Sequence, residues 1–359
     1  MLPPGADASA KTLLAARALR AVADGYMAVL LPAYLLAIGL GTLEVGIIAT
    51  ATMVGSALAT LAIGAWGQRL PDVSVFLPLE HARLAAAATG QARTALFARY
   101  GMLGALFAAL GALAAGVPDW LVSHAAASRL VALRAMFLLY GALGLVVWWL
   151  YRRLAADVAT GQSREFAPLG SSRRVVVRLA ALFSVDAFAG GLVVNSLMSL
   201  WLLQRFGLSL SQAGAFFFWT GLLSAVSQLA APRVAQRIGL LNTMVFTHIP
   251  SSVCLVLAAL SPSLPVALTL LFFRSALSQM DVPTRNAYVM AVVTPAERPA
   301  AGSFTAVPRS LAAAVSPVLS GALFAGGYLA LPLVVRGVLK IAYDLTLWRS
   351  MRGERLSAE

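Results

Sequence analysis

Long apolar stretches separated by short polar segments dominate the chain. Ten of them are long enough to cross a bilayer, because about 20 apolar residues at roughly 1.5 Å per residue span the hydrocarbon core. They lie near residues 21–43, 45–66, 97–117, 130–150, 176–203, 210–231, 243–261, 264–282, 303–326 and 329–348. The pattern predicts an all-α membrane protein, a polytopic helical bundle of about ten transmembrane helices.

Charged and polar side chains interrupt the stretch from Leu264 to Val293. At helical spacing they share one face, which carries Arg274, Ser278, Asp281 and Arg285, with Gln279 beside it. A charge near the bilayer centre costs at least about 2.5–3.5 kcal/mol, so this face is expected to line a polar cavity rather than to face lipid. Arg274, close to mid-bilayer, is expected to hold an anionic substrate group or an acidic partner such as Asp186. A buried structural salt bridge is the other interpretation.

The composition agrees with a membrane protein, since 60% of the residues are hydrophobic and 11% are charged, against roughly 25% charged in soluble domains. The formal net charge of +13 does not indicate nucleic-acid binding, because the basic residues follow the loops and are not clustered with aromatic side chains. With the N-terminus inside, the positive-inside rule places both termini in the cytoplasm and requires an even number of crossings. We therefore predict a multi-pass protein of the inner (plasma) membrane.

The residue types that carry most enzyme chemistry are sparse. Cys254 is the only cysteine, which excludes intrachain disulfides and indicates a buried thiol in an apolar helix. His81, His124 and His248 lie in separate regions and give no metal-ligand spacing. No catalytic set and no phosphate-binding glycine loop with a lysine is visible. We expect neither an enzyme nor a bound metal or cofactor.

Several polar landmarks occur twice along the chain. Asp24 and Asp186 each lie about two turns into a helix, and a Gln-Arg pair ending in Arg69 or Arg237 follows the second helix of each half. The repeats predict two halves joined by a basic linker. The predicted domains are an N-terminal transmembrane half at 1–155, a cytoplasmic linker at 156–175 and a C-terminal six-helix transmembrane half at 176–359.

The first half is shorter than the second. In the first half, the next of the repeated polar residues follows directly after Arg69. In the second half, one whole helix and most of the next lie between the corresponding residues. The N-terminal half is therefore predicted to be shortened by about 41 residues. The apolar segment near residues 71–95 reaches charged residues before it is long enough to span the bilayer. The pattern therefore predicts the inner end of a helix or an interfacial segment.

Two pseudo-repeated halves, a basic central linker and short basic turns after the second helix of each half resemble the major facilitator superfamily, whose members have twelve helices as six plus six. The resemblance extends from about Arg17 to Trp348. The run from Gly64 to Arg69 keeps a glycine and an arginine of the family's loop motif but lacks its acidic residue. The run RSALSQMDVPTR looks like efflux-type bacterial permeases of this family. The shortening would remove the equivalents of helix three and most of helix four.

The resemblance also implies where a central path lies, because the family lines it with the first, fourth, seventh and tenth helices. The residues implied for the substrate or proton path are Asp24, Asp186, Asn195, Arg274, Gln279 and Asp281. The candidates for gating or a cytoplasmic charge network are Arg20, Arg69, Arg237, Arg285, Arg309, Arg336, Lys340 and Asp344. Asp24 has Arg20 one turn away and is interpreted as an ion pair or a proton carrier. Asp186 has no basic residue on the adjacent turns, which favours a proton carrier.

The leading hypothesis is a secondary active transporter that moves a small solute by alternating access, as proton-coupled export. Its expected partners are a small-molecule solute, the proton as coupling ion and the lipid bilayer, without nucleic acid, and the protein is expected to be a monomer. The alternative is a truncated, transport-inactive membrane protein or scaffold. This alternative follows from the shortened first half, because alternating access requires both halves.

Overall fold

The computed structural model describes residues 8–66, 90–125, 128–152, 170, 172–293 and 297–352. Regular structure in this part of the chain is helical, and a short 3₁₀ turn at Ala114–Gly116 joins the third helix to the fourth. The α-helices are α1 (Ala8–Ala37), α2 (Thr42–Trp66), α3 (Gly90–Leu113), α4 (Val117–His124), α5 (Arg129–Arg152), α6 (Arg173–Gly191), α7 (Asn195–Phe206), α8 (Leu210–Ile238), α9 (Leu240–Leu260), α10 (Leu264–Leu277), α11 (Asp281–Ala291), α12 (Arg298–Ala325) and α13 (Leu331–Met351).

Three pairs of consecutive helices follow each other closely and are counted as one segment each: α3 with α4, α6 with α7, and α10 with α11. The α6 and α7 helices together fill the predicted span 176–203, whereas α4 and α11 extend the chain beyond the predicted spans 97–117 and 264–282. Within the described ranges the helices therefore form ten segments, as the apolar pattern predicts. Seven of the described segments, from Lys11–Ala37 to Phe304–Ala325, are long and apolar enough to cross a membrane. The prediction of an all-α polytopic membrane protein with about ten helices is confirmed.

Some boundaries differ from the prediction. The first helix begins at Ala8 rather than near residue 21, because its first turns are alanine-rich rather than strongly apolar. The predicted span 176–203 is broken after Gly191, where two glycines end α6. The last three residues of the predicted linker are already part of α6, and most of the linker lies outside the described residues. The shortened point after Arg69 also lies outside them.

The chain divides into two compact units, which interleave along the sequence. Unit 1 comprises residues 1–38, 55–163 and 207–222, and unit 2 comprises residues 39–54, 164–206 and 223–359. In unit 1, α1 packs against α3 and α5. Gly25 of α1 lies directly against the carbonyl of Ala108, and Gly111 of α3 lies against the backbone of Val22. Small residues thus allow the close approach of α1 and α3.

Unit 2 is built on two groups of helices, with α6 packed against α12 and α9 packed against α13, α10 and α11. The α6 and α13 helices also contact each other, so the two groups share one interior. Apolar side chains such as Val176, Met244 and Leu347 form a buried core near the start of α6 and α9 and the end of α13. The charged side chains of the candidate site lie beside this core.

Candidate functional site

A break separates α10 from α11 in the segment that carries Arg274. The helix is interrupted at residues 278–280, and Pro283, which has no N–H to donate to the carbonyl of Gln279, weakens the helix at this point. The Ser278 N–H still bonds to the carbonyl of Arg274 at 2.8 Å and closes the last turn of α10. Arg274 therefore belongs to α10, while the Asp281 and Arg285 side chains belong to α11. The prediction that one helix face carries them all is wrong.

A second break separates α6 from α7 at residues 192–194 and frees two backbone carbonyls. The Ser320 hydroxyl of α12 donates to the carbonyl of Leu192 at 2.6 Å. The Arg336 guanidinium of α13 donates through Nη1 to the carbonyl of Val193. Side chains from two neighbouring helices thus satisfy the carbonyls that the break exposes.

Asp186 of α6 lies between two cations. Its Oδ1 accepts a hydrogen bond from Lys340 Nζ of α13, and its Oδ2 lies 3.2 Å from Arg285 Nη1 of α11. The same Arg285 nitrogen lies 3.1 Å from Oδ2 of Asp281, one helical turn earlier. The Arg285 guanidinium also lies over the Phe183 ring, 5.7 Å from its centroid. One arginine and one lysine therefore share two carboxylates.

His248 of α9 extends this chain of contacts to a third carboxylate. Its Nε2 lies 3.3 Å from Lys340 Nζ, and its Nδ1 lies 3.0 Å from Asp344 Oδ2. A protonated lysine can only donate, so His248 Nε2 must accept and the imidazole proton resides on Nδ1, which donates to Asp344.

We call these six side chains the ion network: Asp186, His248, Asp281, Arg285, Lys340 and Asp344. They come from α6, α9, α11 and α13, and all six are buried, with exposed fractions of 8% or less. Tyr343 packs its ring edge-on near both His248 and Phe183. Desolvating charges at this depth costs several kcal/mol per ion unless partners compensate, so each member depends on the others.

The structure brings together five of the predicted site residues: Asp186, Asp281, Arg285, Lys340 and Asp344. Asp186 has no basic residue on the adjacent turns of its helix, and its two basic partners are 99 and 154 residues away in sequence, brought to it by tertiary packing. His248 was not predicted as a site residue. Its position one helical turn from two other polar residues of α9, Ser251 and Ser252, is the sequence signal that could have identified it.

Arg274, Arg309 and Arg336 lie around the ion network and are half-buried. Arg336 and Arg309 are within electrostatic range of Asp186. Arg274 is not, and among the described residues its guanidinium forms no ion pair. The predicted pairing of Arg274 with Asp186 is therefore wrong, since Arg285 and Lys340 occupy both carboxylate oxygens.

The candidates of unit 1 lie on α1. Asp24 is exposed, and Oδ1 of its carboxylate accepts a hydrogen bond of 3.3 Å from the Tyr140 hydroxyl of α5. Arg20 lies within electrostatic range of Asp24 and donates from Nη1 to the Tyr151 hydroxyl at 3.5 Å. A tyrosine partner from α5 could not be predicted from the spacing of charges on α1.

The remaining candidates do not join the ion network. Asn195 is exposed at the start of α7, Gln279 is half-buried in the break before α11, and Arg237 is exposed near the end of α8. Arg69 lies outside the described residues. The Cys254 thiol is free and half-buried. In the described part of the chain, no group of three or more His, Cys, Asp or Glu side chains could hold a metal ion.

The C-terminal part of the chain matches a known family. Residues 179–349 match the sequence profile of the Major Facilitator Superfamily. The chain is also similar to the uncharacterized membrane protein YJR124C of Saccharomyces cerevisiae. The two sequences are 24% identical over 311 residues, and the aligned region covers 77% of this chain and 69% of the yeast protein.

Solved transporters share the fold over nearly the whole chain. A bacterial homolog of the human lysosomal transporter Spinster, in an inward-facing and unoccupied conformation, aligns over 100% of both chains with a TM-score of 0.69 and 14% identity. A mutant of the nucleoside transporter NupG aligns over 96% of this chain and 100% of its own, with a TM-score of 0.71 and 12% identity. The chain thus has the fold of these solved transporters. These likenesses are to transporters and not to enzymes, as the sequence predicts.

Proposed function

We propose that the protein is a secondary active transporter, which exports a small solute by alternating access in exchange for protons. The observation that carries the proposal is the ion network, in which six ionisable side chains are buried together within a fold that solved transporters share. Apolar side chains of similar volume would stabilise a purely structural bundle as well or better. Ionisable groups at membrane depth therefore support a role in a solute or proton path.

Two cations favour the ionised form of Asp186, so its protonation would require Lys340 or Arg285 to move away, and this movement would couple protons to the conformation of unit 2. A neutral Asp186 no longer holds the positive charges of Lys340 and Arg285, which then contact the solute or the remaining carboxylates. The other ionisable groups near Asp186 are His248 of α9, Asp281 of α11, Arg309 of α12, and Arg336, Tyr343 and Asp344 of α13. Asp24 in unit 1, hydrogen-bonded to Tyr140, is the second candidate proton carrier.

The test is proton-driven flux in proteoliposomes. A panel of solutes is first screened for thermal stabilisation of the purified protein, because a ligand that binds the folded state raises its melting temperature. Flux of the solute that stabilises most is then measured with and without a pH gradient. Asp186→Asn and the double variant Asp24→Asn/Asp186→Asn are expected to lose the response to the gradient, while Arg129→Gln, a control at an exposed position, keeps it. Unchanged coupling in the double variant would remove the proton claim.

The alternative, a transport-inactive membrane protein or scaffold, is favoured by the shortened first half. We propose that about 41 residues, the equivalents of helix three and most of helix four, are missing after Arg69. A folded protein that moves none of the solutes in the panel supports this alternative. Recovery of flux after a helix pair is inserted at this point would assign the inactivity to the missing segment.

The proposed transporter has a defined orientation in the membrane. The distribution of basic residues between the loops supports cytoplasmic termini. We also propose that the protein acts as a monomer in the inner (plasma) membrane. A single cysteine introduced at Ser357 in a Cys254→Ser background is expected to react with an impermeant thiol reagent only after the cells are opened. Labelling of intact cells would contradict the orientation.

A further inference from the structure

Two arginines of unit 2 carry positive charges that the ion network does not neutralise. Arg274 forms no ion pair or side-chain hydrogen bond with any other residue that the structure describes. Arg336 donates one hydrogen bond to the Val193 carbonyl, which is uncharged, and its buried Nε has no acceptor. Both guanidiniums therefore have donors available at membrane depth, where an unused donor is costly.

The two arginines lie at the same level of α9. Ser251 of α9 donates a hydrogen bond of 3.3 Å to the carbonyl of Arg274 on α10. The carbonyl of the next residue, Ser252, lies against Gly337 of α13, which directly follows Arg336. The arginines are also close enough for their charges to repel each other. We call Arg274 and Arg336 the arginine pair.

The charges around the arginine pair do not balance. Among the described residues of unit 2, the carboxylates of the ion network are Asp186, Asp281 and Asp344, and each is already engaged by Arg285, Lys340 or His248. Glu297 is also buried, but it lies at the start of α12, where it accepts a hydrogen bond from the Gly170 N–H. The cations in and beside the ion network are Arg274, Arg285, Arg309, Arg336 and Lys340, so two positive charges remain there without an acidic counterpart.

We propose that the arginine pair binds an oxyanion group of the transported solute, such as a carboxylate, phosphate or sulfate. The inference rests on the proposed transport function and specifies its substrate class. A guanidinium presents paired donors that match the two oxygens of an oxyanion, and the repulsion between two adjacent arginines is relieved when an anion lies between them. Arg274 lies ten residues after Leu264, about 15 Å along the helix, which is too deep for a lipid headgroup.

The test is anion binding by the purified full-length protein in detergent, at constant ionic strength. The probes are pairs of similar shape that differ in charge, benzoate with benzamide and glycerol 3-phosphate with glycerol, together with sulfate. At least one anion is expected to raise the melting temperature saturably, while its neutral counterpart does not. Arg274→Gln and Arg336→Gln are expected to weaken this effect at least tenfold, and Arg129→Gln, which removes the same charge from an exposed position at the start of α5, leaves it unchanged.

A second measurement uses the wild-type protein and so does not depend on how the variants fold. Phenylglyoxal modifies accessible arginines, and mass spectrometry locates the modified residues. The stabilising anion is expected to protect Arg274 and Arg336 and to leave Arg129 reactive. Equal stabilisation by the neutral probes, no saturable stabilisation by any anion, or absent protection would overturn the anion site.

Failure of the anion site and failure of transport give different results. If an uncharged solute shows proton-driven flux while no anion binds, the site is wrong and the transport function stands. If anions bind to the arginine pair but no solute is moved, the transport function is wrong and the site stands.

Discussion

Asp186 is the residue on which the buried charges of unit 2 depend. It contacts cations from two other helices, Lys340 of α13 and Arg285 of α11, while carrying a single negative charge. Lys340 in turn holds His248 in the tautomer that donates to Asp344. Removing one partner of a buried ion pair destabilises a protein more than replacing both partners by apolar residues, because the remaining charge stays buried without compensation. The loss of one member of the ion network therefore leaves its partners uncompensated.

Replacement of Asp186 by asparagine is expected to destabilise the protein by about 3–5 kcal/mol, because Lys340 and Arg285 lose their shared carboxylate. Thermal unfolding in detergent measures the effect. The double variant Asp186→Asn/Lys340→Met is expected to recover part of the loss, since it removes a charge of each sign.

Asp24→Asn is the matched control for this change, because it neutralises an exposed aspartate on a helix of unit 1. Its effect is expected to stay within about 0.5 kcal/mol, as for most exposed positions. Equal melting temperatures for Asp24→Asn and Asp186→Asn would mean that the ion network does not form.

His248 offers a second prediction, on hydrogen bonding rather than charge. A glutamine can donate to Asp344 with its amide nitrogen and accept from Lys340 with its oxygen, whereas a leucine can do neither. His248→Gln is therefore expected to be more stable than His248→Leu by about 1–3 kcal/mol, the cost of unsatisfied buried polar groups. Chemical or thermal unfolding of the two variants side by side measures the difference, and equal stability would contradict the assigned contacts.

The helix breaks explain how the charged side chains reach one another. The break before α11 separates Arg274 from the Asp281–Arg285 pair, and the break after α6 frees the Val193 carbonyl for Arg336. Backbone that leaves the helix inside a membrane protein is tolerated where other groups satisfy it. Both breaks lie in helices that carry charges of the candidate site, which suits a path for polar solutes.

Two adjacent glycines at the end of α6 test the packing of this element. A methyl group on Gly191 would collide with the Ala313 carbonyl and the Ser316 hydroxyl of α12, whereas one on Gly190 would meet nothing within 4 Å. We expect Gly191→Ala to lower the melting temperature clearly, since α12 must move away. Gly190→Ala is expected to be neutral or to stabilise by up to about 1 kcal/mol, because alanine favours helix. The reverse order would contradict the contact between α6 and α12.

At the scale of the whole molecule, the sequence predicts the architecture better than the site. Apolar length alone identifies the ten segments, because burial in lipid requires a long helix wherever the chain crosses. The cost of intramembrane charge also draws attention to Asp186, Arg285, Lys340 and Asp344, which the structure brings together in unit 2. These predictions rest on local properties of the chain, which sequence displays directly.

Partners could not be predicted, because they depend on which helix faces pack together. Asp186 meets Arg285 and Lys340 only because α11 and α13 lie beside α6 or its neighbours. The spacing of His248 from the other histidines excludes a metal site but does not indicate its actual partners, a lysine and an aspartate on α13. The same limit applies to Tyr140, whose hydroxyl reaches Asp24 from another helix.

Alternating access is tested most directly by the accessibility of Gln279, which lies in the break beside the arginine-bearing α10. Gln279→Cys in a Cys254→Ser background is exposed to a charged, membrane-impermeant thiol reagent in right-side-out cells and in inside-out vesicles. Phe273→Cys is the control, because Phe273 is apolar and 62% exposed on the surface of the protein, where lipid would cover it.

A transporter that alternates between two states should label at Gln279→Cys from both sides of the membrane, with solute changing the rate, and should not label at Phe273→Cys. A folded Gln279→Cys protein that reacts from one side only, or from neither, would contradict a path through unit 2 that opens alternately to the two sides.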